Sequence, residues 1–298
     1  MAAEPAPPRT RPAPGDGFPV GDLGPEAPVF SRILDAGRVG LVLGAVGVVT
    51  AIGLPLQWLA LRLNLPARRT IPRLFHRIVL RLIGVRVKVK GAPSPARPLL
   101  ILANHGSWLD ICVLGSLMPL VFVAKSEVAG WPLIGLLAKF QRTVFVDRQR
   151  RHATGAVNRE IAGRLREGDP VVLFAEGTSS DGNRVLPFRT ALVGAVREAF
   201  DGTEDGAADV TVQPLAIAHV GLQGVPAGRQ HRPLLAWYGD MDLAPHLLEV
   251  LRQGAVDVEV TFGPALAIDA AHDRKAVTRE AEALVRAAFV ASVSGQAG

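Results

Sequence analysis

Residues 39 to 61, V-G-L-V-L-G-A-V-G-V-V-T-A-I-G-L-P-L-Q-W-L-A-L, carry no charged side chain over 23 positions. At ~1.5 Å per residue such a helix crosses a hydrocarbon core of ~30 Å. Arg38 and Arg62 bracket the run, and Trp58 stands where an interfacial anchor would. Pro55 and Gln57 interrupt its last third, so a helix that enters one leaflet and turns back stays open beside a full span. A buried core helix is the soluble alternative. Hydrophobic residues reach 49% of the chain, and much of that excess is concentrated here. Whatever follows is expected to fold beside a membrane anchor.

The next stretch, A-R-R-T-I-P-R-L-F-H-R-I-V-L-R-L-I-G-V-R-V-K-V-K, is basic and amphipathic. Arg69, Arg73, Arg77 and Arg81 recur at near-helical spacing, with Leu74, Ile78 and Leu82 between them. Beside an anchor this reads as a membrane-surface element on the cytoplasmic face of the inner (plasma) membrane, which puts the C-terminal domain there too. A solvated helix face is the plain alternative. The net charge of +6 admits membrane lipid, anionic substrates or nucleic acid as partners. No nucleic acid is expected, because the few aromatic residues lie scattered in apolar runs with nothing to stack on bases. Residues 1 to 30, rich in Pro, Ala and Gly, read as a disordered tail rather than a signal peptide. The single cysteine, Cys112 in I-C-V-L, excludes an intrachain disulfide and reads as a core thiol. The expected organisation is a tail (1–30), an anchor with its basic segment (31–90) and a catalytic domain (91–298).

From residue 98 short apolar runs alternate with segments of helical period. Strands are expected at 98–103, 120–124, 143–147, 171–175, 210–218 and 256–263. Helices are expected near 107–117, 152–166, 188–200 and 274–292. Such alternation predicts an α/β fold with helices packed on a sheet. In these folds ligands gather at the carboxyl ends of strands. D-G-T-E-D-G-A-A-D (201–209) reads as an exposed acidic loop.

The residues after those strands are therefore the ones to read. After 98–103 come Asn104 and His105, and after 120–124 comes Lys125. The run 143–147 leads into Arg148, and 171–175 into Glu176, Gly177 and Thr178. Imidazole is the side chain suited to proton transfer near neutral pH, so His105 could take a proton from a hydroxyl. Asp110 could hold the other ring nitrogen. With seven His and fifteen Asp in the chain, chance supplies about 0.35 H-x4-D pairs, so the spacing alone is weak. Ser107 reads as a helix N-cap with Asp110 three positions on, and a capping box is the structural alternative for Asp110. There is no G-x-S-x-G elbow, so the hydroxyl would belong to a substrate. No H-E-x-x-H or Cys/His cluster suggests a metal, and no glycine-rich nucleotide signature is present. E-G-T-S-S-D-G (176–182) can offer backbone N–H groups to an anion, with Arg184 and Arg189 nearby. An ordinary polar loop is the alternative.

Four blocks thus stand in order: N-H-G-S-W-L-D (104–110), V-F-V-D-R (144–148), F-A-E-G-T-S-S (174–180) and V-Q-P-L-A-I (212–217). Together they resemble the glycerolipid acyltransferase family, the 1-acylglycerol-3-phosphate acyltransferases, over roughly residues 70 to 265. The resemblance implies a central mixed sheet flanked by helices, behind an N-terminal membrane-anchoring helical segment. It implies that His105 is the base and Asp110 its partner. Arg148, Glu176 and Gly177 would bind the acceptor, and Pro214 would shape the pocket. It further implies acyl-CoA or acyl carrier protein as co-substrate, a lysolipid acceptor, and no cofactor. The third block usually reads F-P-E-G-T-R-S, but Ala175 and Ser179 stand here in place of the proline and the arginine. That arginine is expected to meet an acceptor phosphate, so its loss leaves two acceptors open. One is 1-acylglycerol-3-phosphate, taken as the leading expectation. The other is a lyso-ornithine lipid, since E-G-T-S-S-D-G-N-R-V-L-P-F with W-Y-G-D-M (237–241) is similar to that branch. A membrane-tethered thioester hydrolase and a non-catalytic binder of anionic lipid are the rival readings.

Overall fold

The computed structural model describes residues 29–146, 154–190, 210–268 and 274–295. The expected tail up to residue 28, Arg148, nearly all of the helix expected at 188–200 and the acidic loop 201–209 lie outside these residues. Two helices lead the chain, α1 (Val29–Arg62) and α2 (Ala67–Ile83). The strands are β1 (Val85–Lys90), β2 (Leu99–Ala103), β3 (Val121–Lys125), β4 (Val144–Val146), β5 (Val171–Phe174), β6 (Val210–Leu222), β7 (Val225–Pro226), β8 (Val256–Phe262) and β9 (Leu266–Ile268). The remaining helices are α3 (Leu109–Leu117), α4 (Ile134–Phe140), α5 (Thr154–Arg166), α6 (Leu243–Gln253) and α7 (Arg274–Val293). The sheet runs β1-β8-β6-β2-β5-β3-β4, with β7 and β9 pairing to β6. Strands β6, β2, β5, β3 and β4 are mutually parallel, while β8 runs antiparallel to β6. The expected mixed sheet is therefore present.

Strands β2 and β5 are buried on both faces, which is why they read as unbroken apolar runs. Leu99, Ile101 and Ala103 face one core with Leu80 of α2, Leu109 and Val113 of α3 and Val250 of α6. Leu100 and Leu102 face the other, with Ile161 and Leu165 of α5 and Val285 of α7. The outcome is three layers, helices on both sides of a sheet.

Strand β1 corrects the sequence reading. V-R-V-K-V-K continues the basic helix in composition but pairs in parallel with β8. Its cations meet carboxylates on that neighbour, Arg86 with Asp257 and Lys90 with Glu259. The sheet thus begins before residue 91. Gly84 makes the break, closing α2 in the left-handed region at φ 90° with its N–H on the Leu80 and Arg81 carbonyls. The arginine stripe of α2 is also partly used within the fold. Arg73 and Arg77 both donate to the Ser116 carbonyl of α3, and Arg69 pairs with Asp169.

Helix α1 has two distinct sides. Val39, Val42, Thr50, Gln57 and Ala60 are buried, whereas Leu41, Val48, Ile52, Leu56 and Leu59 are exposed, with Leu43 and Trp58 exposed outside these two sets. Each set falls on one stripe of a 3.6-residue helix. Residues 35–62 are long and apolar enough to cross a membrane by length and composition. Yet both ends of the run touch the domain. Arg38 donates to the Leu251 carbonyl at the end of α6, and the Gln57 amide donates to the Arg68 and Phe140 carbonyls at 3.0 and 2.8 Å. Gln57 therefore does not spoil the helix; it ties α1 to α2 and α4.

Candidate active site

The site forms where β2 and β5 end side by side. Strand β6 is much longer than β2, and Ala103 pairs with Leu215. Its second half runs on past the end of β2, and the Asn104 amide fills the space so left. Asn104 Nδ2 donates to the Ile217 carbonyl at 2.9 Å, and its Oδ1 accepts the Ile217 N–H at 2.8 Å. Asn104 thus ties the end of β2 to β6 through both ends of its amide.

His105 lies on the turn that follows, and Asp110 on the first turn of α3. His105 Nδ1 is 2.9 Å from Asp110 Oδ2. The same oxygen accepts the N–H groups of Gly106 at 2.8 Å and Ser107 at 3.0 Å. Only the carboxylate half of the expected capping box forms, beside the histidine contact: Trp108, not Ser107, is the N-cap of α3, and no side chain caps it. Burial alone would raise the Asp110 pKa; the contacts of His105 and then His219 outweigh it and hold the carboxyl well below the usual range. An ionised Asp110 places the proton on Nδ1 and leaves the lone pair on Nε2. Nε2 has no hydrogen-bond partner among the described residues. The ring stacks on Phe174 at 4.0 Å between centroids and keeps 17% of its side-chain surface exposed. This is a histidine ready to accept a proton from outside the protein.

Glu176 follows β5 and points inward. Its Oε2 accepts the His105 N–H at 3.1 Å and its Oε1 the Leu186 N–H at 2.8 Å. Burial pushes its carboxyl up to about 8, against the two N–H donors. Glu176, for which the resemblance implied acceptor binding, also brackets three segments of the chain. Ser180 N–H and Trp237 N–H complete the support, donating to the carbonyls of His105 and Gly106 at 2.8 Å each. Gly177 turns the loop in the left-handed region at φ 72°.

The other expected residues divide. Ser107 is fully buried, and its hydroxyl accepts the Leu109 N–H at 3.4 Å. Thr178 is exposed on the loop beside His105. Arg189 Nε donates to the Glu176 carbonyl at 3.1 Å, so it braces the loop. Arg184 is exposed, 4.0 Å from Asp181. Lys125 is exposed at the end of β3, with β5 standing between it and β2. Pro214 is buried in β6 opposite Leu102. Cys112 is inert: burial pushes its thiol up to about 12, and the Asp110 charge adds to this. The N–H groups of His105, Gly106 and Ser107 are all engaged, by Glu176 and Asp110. Sequence reading missed His219, whose Nε2 lies 3.2 Å from Asp110 Oδ1. It also missed Trp108, whose Nε1 donates to His246 Nδ1 at 3.0 Å.

An α/β sheet presenting a histidine–carboxylate pair, with the outer ring nitrogen free, defines a class that activates a substrate hydroxyl. The acyltransferase family matches over residues 86–218. The lyso-ornithine lipid O-acyltransferase of Brucella abortus is 48% identical over 259 residues, covering 87% of this chain and 96% of the relative. That of Rhizobium meliloti is 49% identical over 242 residues, covering 81% and 82%. The 1-acyl-sn-glycerol-3-phosphate acyltransferase of Neisseria gonorrhoeae is 31% identical over 207 residues, covering 69% and 74%. In fold, the crystal structure of the PlsC acyltransferase of Thermotoga maritima agrees with a TM-score of 0.59 at 19% identity, over 87% of this chain and 96% of that one. The chain belongs to the glycerolipid acyltransferase family. It is an acyltransferase of lysolipids.

Proposed function

We propose that this enzyme moves an acyl group from an acyl thioester, carried on coenzyme A or acyl carrier protein, to the free hydroxyl of a lyso-ornithine lipid. The observation that carries the chemistry is the His105–Asp110 pair with Nε2 unpartnered. Nε2 removes the hydroxyl proton as the oxygen attacks the thioester carbonyl. The tetrahedral intermediate collapses, the C–S bond breaks, and the departing thiolate takes the proton from the imidazolium. No acyl-enzyme is needed. The loop that donates the Ser180 N–H to the His105 carbonyl also carries the N–H groups of Thr178 and Ser179, unpartnered among the described residues. They are the proposed oxyanion or head-group contacts.

Two features support the lyso-ornithine acceptor over the leading expectation from sequence. Ser179 supplies no cation for a phosphate, and the relatives that match most of the chain at 48 and 49% identity carry that activity in their names. The membrane reading is monotopic. Helix α1 lies along the domain with its exposed stripe in one leaflet of the inner membrane and the sheet on the cytoplasmic face. Among the described residues nothing covers that stripe, and the contacts of Arg38 and Gln57 hold both ends of the run to the domain.

The test is direct. Purified full-length enzyme with labelled acyl-CoA or acyl carrier protein is offered lyso-ornithine lipid and lysophosphatidic acid side by side. Higher kcat/KM on lyso-ornithine lipid is expected, and His105→Ala should lower the rate by about 10²–10⁴-fold. Preference for lysophosphatidic acid would overturn the acceptor assignment. Release of free acid without any acceptor would favour a hydrolase.

A further inference from the structure

We propose that His219 is a positioning residue for the catalytic pair, holding the second oxygen of Asp110 so that the first stays aimed at His105. Its Nε2 lies 3.2 Å from Asp110 Oδ1, with side chains only 4% and 1% exposed. Among the described residues neither atom has a hydrogen-bond partner, and the two stand within reach of each other without forming one. A buried carboxylate oxygen without a donor is costly, and His219 is the polar group beside it. Contacts of this kind often align only once substrate is bound.

The fold delivers His219 by construction. Strand β6 outruns β2, and an irregularity between His219 and Gly221 shifts its register against β8. Bulges next to active sites re-aim side chains in this way. The paired residue on β8 is Val258, so nothing polar competes from that strand. The other titratable groups around the cluster are Glu176 from the loop after β5, Cys112 from α3 and His246 from α6. None of these contacts Oδ1. Asp110 thus stands between two histidines, one open to substrate and one closed off from it.

The inference rests on His105 being the base, and the two can fail separately. His105→Ala with undiminished acyl transfer would sink the base itself, whatever happens at residue 219. For His219, full-length His219→Leu and His219→Gln enzymes are assayed for kcat and KM as a function of pH. His219→Leu should lower kcat by roughly 10- to 100-fold with KM little changed. Its acid limb should also move to higher pH. Without the second donor, Asp110 directs more of its charge at His105 Nδ1–H and stabilises the imidazolium. His219→Gln places an amide N–H near the Nε2 position and should restore most of the rate and return the limb. A folded His219→Leu enzyme with wild-type kcat and an unmoved limb would overturn the proposal, as would a Gln variant no better than Leu. Should Leu fail to fold, the Gln variant decides: near-wild-type kcat sustains the proposal and a large loss overturns it.

Discussion

Glu176 is a carboxyl group set to hold two backbone N–H donors in a place where its charge is unfavourable. Its pKa in the fold, about 8, stands above an ordinary value near 4.5. Between those values the folded chain binds a proton that the unfolded chain does not. Stability attributable to this group is therefore highest at low pH and falls as pH rises towards 8. Glu176→Gln removes the titration. It also leaves the His105 or Leu186 N–H facing an amide NH2, a loss of about 1–3 kcal/mol. Melting temperatures at pH 5, 7 and 9 should show the wild-type advantage greatest at pH 5 and smallest at pH 9. A gap that does not change with pH would mean that Glu176 has an ordinary pKa. Catalysis should suffer too, since the bracket holds the backbone of His105.

Among the elements, the contact of α2 with α3 is the tightest test of packing. A Cβ on Gly115 would lie 2.3 Å from His76 Cδ2. The His76 ring is buried and 2.9 Å from Gln141 Oε1, so it cannot easily move aside. Gly115→Ala should cost about 1–3 kcal/mol, read as a lowered denaturant midpoint. An unchanged midpoint would show that the contact gives way. The same elements show what the sequence could and could not reveal. Strands β2 and β5 are legible because burial on both faces leaves unbroken apolar runs. Strand β1 was overlooked because V-R-V-K-V-K extends the basic composition of α2, although its strict alternation of Val with Arg or Lys is a strand signature and Gly84 marks the break. Helices α4 and α6 are short and went unseen. His105 and Asp110 were legible because they share one local turn. The part of His219 was not, because it depends on how far β6 overruns β2, a property of the sheet and of no single segment. The bracketing contacts of Asn104 and Glu176 were hidden for the same reason: their partners, Ile217, His105 and Leu186, come from other segments.

For the molecule as a whole, the decisive surface is the exposed stripe of α1. Leu41, Val48 and Ile52 are 74%, 60% and 59% exposed. Each such side chain taken into lipid adds ~1.5–3 kcal/mol to attachment. Val48→Asp with Ile52→Asp should move the enzyme from vesicles to the supernatant in flotation, while transfer to a detergent-dispersed acceptor persists. Retention on vesicles would mean that attachment comes from elsewhere, with exposed Leu133, Ile134 and Leu136 at the tip of α4 as the next surface to test. The clasp between Gln57 and the Arg68 and Phe140 carbonyls, with Arg38 on α6, has a mechanical consequence. A helix pinned at two points cannot roll about its axis. Its apolar stripe then acts as a keel with a fixed bearing relative to the His105 ring. On the monotopic reading the enzyme can sit on a bilayer in only one attitude, so the same rim of the site always meets the lipid.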